Sequence, residues 1–206
     1  MIVEPHQFQS RDLVAGNLAL DFANTVTGRD VAPRDWLGSY AHLLDWARHC
    51  REFRANDLGK LRQIAGIDPD RATTALARAT LFRESLCRAA YAILGEGTAK
   101  PDDYRTIEQT YKEGMNSARF EWSRAGCRMV WKVEFSGLAL ITHVIAVNAV
   151  SLFMNFQAGR IRICAGENCG WLFVDSSRSG RRRWCDMATC GNVAKARRYY
   201  RRHVQT

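Results

Sequence analysis

The chain has 206 residues, of which 47% are hydrophobic and 10% aromatic, and it carries a net charge of +9. That apolar content is ample for a packed core and excludes an intrinsically disordered protein, and the length allows one domain or a domain with an appended module. Residues 160–206 hold eleven Lys/Arg against Glu167, Asp175 and Asp186, a balance of +8, whereas residues 1–159 hold 19 Lys/Arg against 18 acidic residues.

The first residues, Met1 to His6, show no charged stretch followed by an apolar run, so no secretory leader is expected and the compartment reads as reducing cytoplasm. A short helix is expected across Leu18–Thr25, with Asn17 as its cap. Asp35 is expected to open a stronger helix, Trp36 to His49, because Trp36, Leu37, Tyr40, Leu43, Leu44 and Ala47 recur at the 3.6-residue period. A further short helix is expected over Asn56–Ala65. Asp68-Pro69-Asp70 is a strong start signal, a capping carboxylate followed by proline in the first turn. The helix it opens should run to about Leu94 and stop at Gly95-Glu96-Gly97, and Pro101-Asp102-Asp103 should start another that ends near Met115.

The period then changes. Phe120, Trp122, Cys127, Met129 and Trp131 alternate with charged residues around Ala125-Gly126, which reads as a β-hairpin near 118–132. Ser136–Phe156 reads as one long, very apolar helix. Thr142, His143, Asn148 and Ser151 interrupt it and its length is marginal for a bilayer, so a core helix is expected, with His143 as a satisfied core histidine. Charge balance and cysteine density both change at Gln157-Ala158-Gly159-Arg160. The expected organisation is therefore a mainly α body with a small hairpin over residues 1–159, a sensor or interaction domain, followed by a cysteine module over 160–206.

In that module the cysteines read Cys164-x4-Cys169, fifteen residues, then Cys185-x4-Cys190. Two close pairs across a loop suit a tetrahedral four-thiolate zinc site, each pair offering two sulfurs from one turn. Two disulfides, disfavoured in a reducing compartment, and four unligated thiols are the competing readings. Four thiolates close the coordination shell, so the expected ion is one structural zinc per chain with no position left for catalysis. Arg160–Ile163 and Trp171–Val174 could be strands that place the first pair at a hairpin turn, and Asn192 can cap a final helix from about Val193. On that helix Val193, Ala196, Tyr200, His203 and Val204 share one side, expected to dock on the knuckle. Lys195, Arg198, Arg201 and Arg202 share the other, with Arg197 at the edge. Together with Arg181, Arg182 and Arg183 they form the candidate nucleic-acid surface, because arginine forks bind phosphate or read guanine.

The remaining signals are weaker. Asp21, Asn24 and Thr25 are polar residues in an apolar helix, read either as hydrogen-bonding cross-links or as the lining of a small-effector pocket. Enzyme chemistry is not expected, because the chain has no phosphate-binding glycine loop, nucleophile elbow or His-Glu-x-x-His motif.

Several of these motifs resemble the bacterial CGNR zinc-finger family. They are Cys164-x4-Cys169-Gly170-Trp171-Leu172-Phe173-Val174-Asp175, Arg182-Arg183-Trp184-Cys185-x-Met187-x-x-Cys190-Gly191-Asn192 and Ala194-Lys195-x-Arg197-Arg198-x-Tyr200. Gly16-x-Leu18-Ala19-Leu20-Asp21-Phe22-x-Asn24-Thr25 is similar to the opening of the domain that precedes this finger in the family. The resemblance implies a stress-linked transcriptional regulator whose treble-clef or ribbon-like finger binds zinc and DNA. Val193 stands where the name motif has arginine, so any phosphate contact made through that position in relatives is missing. RNA binding and a protein-interaction adaptor stay open as alternatives, and a homodimer is compatible with a single small finger that makes few base contacts, although nothing in the sequence fixes it.

Overall fold

Asp68 opens the longest helix, α4 (Pro69–Ile93), with its carboxylate accepting the Arg71 amide as the sequence predicts. A computed structural model describes residues 1–4, 6–155 and 160–203, the Arg202 side chain excepted. The expected module boundary at Gln157–Gly159, the expected helix end at Phe156, and Val204 lie outside the described residues.

Helix α1 (Leu18–Ala23) has Asn17 as its cap, accepting the amides of Ala19 and Leu20. The helix expected from Trp36 starts later, as α2 (Tyr40–Ala47), where Ser39 accepts the His42 amide. Asp35 does not begin it. Asp35 lies instead in β3 (Arg34–Asp35), which pairs parallel with β1 (Ile2–Val3) and antiparallel with β2 (Val26–Thr27). The cause is Arg83 on α4, which has no solvent exposure and takes both Asp35 oxygens at 2.7 Å. A buried guanidinium must be paired, and that demand overrides the helical period around residue 35. Helices α3 (Ala55–Ile67) and α5 (Pro101–Ser117) each run slightly past their expected ends.

The hairpin forms from β4 (Arg119–Ser123) and β5 (Gly126–Val130), with Phe120 opposite Met129 and Trp122 opposite Cys127. Its base is tied down by the Trp131 indole N–H, which donates to the Gly114 carbonyl at 2.7 Å. The apolar face is not covered, and Trp122 is 79% exposed. The long helix expected over Ser136–Phe156 is divided into α6 (Val133–Ser136), a 3₁₀ turn at Gly137–Ala139, and α7 (Leu140–Met154). Gly137 sits at φ +52, a conformation that favours glycine and turns the chain between the two helices. Val133–Met154 is long and apolar enough by composition to cross a bilayer. In this fold α7 packs on α5 and α1 and buries Leu140, Ile141, Ile145, Ala146 and Ala149, the position of a core helix.

Among the described residues the fold is mainly helical with three small sheets. Its first core gathers Phe22, Trp46, Leu61, Phe82, Leu86 and Ile145 from the body. A second core is shared: Leu20, Ala23, Cys87 and Ala90 of the body pack with Ile161, Leu172, Phe173 and Cys185 of the cysteine module. The module is β6 (Ile161–Ile163) paired antiparallel with β7 (Leu172–Val174), followed by α8 (Asn192–His203).

Candidate metal centre and basic surface

Strands β6 and β7 carry the first cysteine pair at their connecting turn, as expected. Cys185 follows a loop shaped by Asp175, whose carboxylate accepts the Ser177 amide and hydroxyl and the Arg182 amide. Cys190 comes from a π-helical turn, Met187–Gly191, capped by Asp186 on the Thr189 amide. The cap expected at Asn192 is therefore one turn earlier. Asn192 is the first residue of α8, and its side-chain amide donates back to the Ala188 carbonyl at 3.2 Å. Gly166 permits the approach of the two pairs, because a Cβ there would lie 2.9 Å from Cys190 Sγ.

The four sulfurs of Cys164, Cys169, Cys185 and Cys190 all lie within 4.8 Å of one another. Cys169 and Cys185 Sγ are 3.8 Å apart, and Cys185 and Cys190 Sγ 3.7 Å apart. Bonds of about 2.3 Å to a tetrahedral zinc place sulfurs roughly 3.8 Å apart, whereas a disulfide needs about 2.0 Å. The four cysteines are unbridged and their geometry fits a four-thiolate metal ion. Cys164 Sγ also accepts the amides of Gly166 at 3.3 Å and Cys185 at 3.2 Å, which favours its thiolate. Hydrogen bonds from the Cys169 and Cys185 thiols push the Cys164 thiol far down. Cys169 and Cys185 are pushed up, chiefly by the bonds they share with Cys164, and Cys190 by burial. Four negative sulfurs this close repel one another, and a dication is what lets all four ionise.

The arginines divide into two groups. Arg182 does not join the outward surface: its guanidinium donates to the carbonyls of Trp184, Val14 and Cys185 and lies over the Phe173 ring at 4.6 Å. Arg160 reaches the carbonyls of Asp175 and Ser177, and Arg162 that of Gly180. Arg160 and Arg162 bind the 175–180 loop to the hairpin, and Arg182 ties the Trp184–Cys185 segment to Val14 of the body, roles that a run of like charges does not reveal. Arg181 and Arg183 are exposed, and so are Lys195, Arg197, Arg198 and Arg201 on α8. The Arg202 side chain lies outside the described residues.

Helix α8 also departs from expectation. Its apolar side does not dock on the knuckle: Val193 is 51% and Tyr200 63% exposed. The helix projects from the Met187–Gly191 turn, and an open groove of about 460 Å³ separates it from the 165–167 knuckle. Arg197, Arg198 and Arg201 line that groove, and Arg197 pairs with Glu167 across it.

Asn24 and Thr25 have their polar atoms engaged inside the fold. Asn24 donates its amide to the Leu172 carbonyl at 2.8 Å and accepts the Leu172 N–H at 2.9 Å, copying a strand's pairing. The Thr25 hydroxyl donates to the Phe22 carbonyl and accepts from Arg83. Asp21 accepts the Ala15 amide at 2.9 Å, and burial pushes its carboxyl up to about 7. Through these contacts the three residues act as cross-links within the fold. The cross-links to β7 and to Arg83 have no short-range sequence signal, because their partners lie 148 and 58 residues away.

A family model described as "Putative stress-induced transcription regulator" matches residues 16–155, and one described as "CGNR zinc finger" matches residues 160–203. The chain belongs to this regulator family. The two matches follow the order read from the motifs, and the zinc-finger match contains all four cysteines and helix α8. No curated relative matches the chain.

Proposed function

We propose that the chain is a cytoplasmic, zinc-dependent DNA-binding transcriptional regulator and not an enzyme. The observation that carries the reading is the groove beside the four-cysteine cluster, where Arg197, Arg198 and Arg201 line one open cavity next to the metal-ligand turn. Cys164, Cys169, Cys185 and Cys190 would hold one zinc per chain, which supplies folding energy and no chemistry. Lys195, Arg197, Arg198 and Arg201 on α8 face phosphates, with Arg181 and Arg183 as a flanking pair. Arg182 serves the framework instead, and Val193 contributes no cation. A homodimer belongs to the same reading, because one small basic surface neutralises few phosphates.

Binding to labelled duplex DNA, single-stranded RNA and heparin at two salt concentrations tests this reading. The expected result is tightest binding to duplex DNA, steeply salt-dependent, with the combined Arg197→Ala, Arg198→Ala and Arg201→Ala variant losing roughly one unit of salt slope per phosphate contact removed. Equal binding of heparin and DNA, or an unchanged slope in the variant, contradicts a DNA-reading surface. A preference for single-stranded RNA moves the assignment to RNA.

A further inference from the structure

We propose that the open cleft between α4, α5 and the α6–α7 turn binds a small hydroxy-carboxylic acid. The inference concerns the body alone and stands whether or not the C-terminal surface binds nucleic acid. The cavity measures about 550 Å³, within the range of small-molecule sites. Its rim is cationic, with Arg71 and Arg78 from α4 and Arg105 from α5. Arg78 is committed to Glu113, which accepts from it through both oxygens at 3.0 Å. Arg71 and Arg105 have only exposed partners on their own helices, Asp68 at 3.9 Å and Asp102. Such pairs contribute little and can exchange for a ligand carboxylate.

The floor of the cavity is polar and unfinished. Thr142 and His143 line it and are each 6% exposed. The Thr106 and Thr110 hydroxyls of the same wall bond carbonyls four residues back at 2.8 and 2.7 Å. The Thr142 hydroxyl has no hydrogen-bond partner among the described residues. His143 meets the Ser136 hydroxyl through Nδ1 at 3.2 Å, while its Nε2 stands 4.0 Å from Glu113, beyond hydrogen-bond range. A hydroxyl and a ring nitrogen therefore stand ready for a ligand's hydroxyl. Gly137 and Ala139 also line the cavity, which places it at the start of the fifteen-residue α7, where no side chain caps the helix. The positive end of that helix adds to the attraction for an anion. Leu138 gives the short apolar wall that the carbon skeleton of such an acid needs.

Calorimetry on the full-length, reduced protein tests the site, with lactate, malate and citrate as probes and inorganic phosphate as the competing anion. At least one hydroxy acid should bind saturably. The near-isosteric Thr142→Val and the surface double variant Arg71→Ala/Arg105→Ala should each weaken that binding by about tenfold or more. The arginine variant alters only exposed side chains, so it keeps the test valid if Thr142→Val folds poorly. No saturation with any of the three acids up to about 10 mM overturns the proposal. So does binding that the arginine variant leaves intact, or phosphate binding as tight as that of the best acid.

Discussion

Asp21 shows how a single residue can store a pH dependence. Its carboxyl is pushed up to about 7 by burial, against an ordinary value of 3.8. Between those values the folded chain holds a proton that the unfolded chain releases, so stability falls as pH rises from about 4 to 7 and stays level above. Asp21→Asn keeps an acceptor for the Ala15 amide and removes the ionisation. Urea unfolding should show the variant more stable than the parent at pH 8, on the order of 4 kcal/mol, and nearly equal near pH 4. At this scale the sequence was legible wherever the partner is close in the chain. Asn17 and Asp68 cap the helices they precede, because capping reaches two or three residues forward. It was not legible for Asp35, whose partner Arg83 is 48 residues away.

Elements are set by period, but their neighbours are set by the whole fold. The hairpin alternation predicts β4 and β5 correctly and says nothing about which face is covered, and the apolar face is open. The apolar run of 136–156 hid a break, because Gly137 turns the chain without interrupting hydrophobicity. Beside the shared core and the Val174 amide bond to the Ala15 carbonyl, one side chain at the end of α1 ties β7 to the body. Asn24 serves both backbone groups of Leu172, and neither it nor Leu172 is more than 3% exposed. Asn24→Ala leaves a buried N–H and a buried carbonyl without partners, at a cost of about 3 kcal/mol. Thermal unfolding should register that loss, and hydrogen exchange should show the Leu172 amide opening faster. Unchanged exchange at Leu172 would show that the second core and the Val174–Ala15 backbone bond hold the strand without it.

Across the whole molecule, the sequence divides where the structure joins. Charge and cysteine density change near residue 160, yet Leu20, Ala23, Cys87 and Ala90 share a core with Phe173 and Cys185. The four-cysteine cluster was legible because a four-thiolate site demands regular spacing. The inward turn of Arg182 and the undocked apolar side of α8 were not, because both depend on tertiary neighbours. Three of the four cysteines are buried in that shared core, so an ion held by them would sit between the body and the basic helix. In the proposed reading, such an ion builds the cationic surface. Duplex-DNA affinity measured at one low salt concentration, before and after zinc is removed by a chelator, tests it most directly. The account predicts at least a tenfold loss on removal, about 1.4 kcal/mol, restored by one equivalent of zinc. DNA affinity that is unchanged once the metal is gone would contradict it.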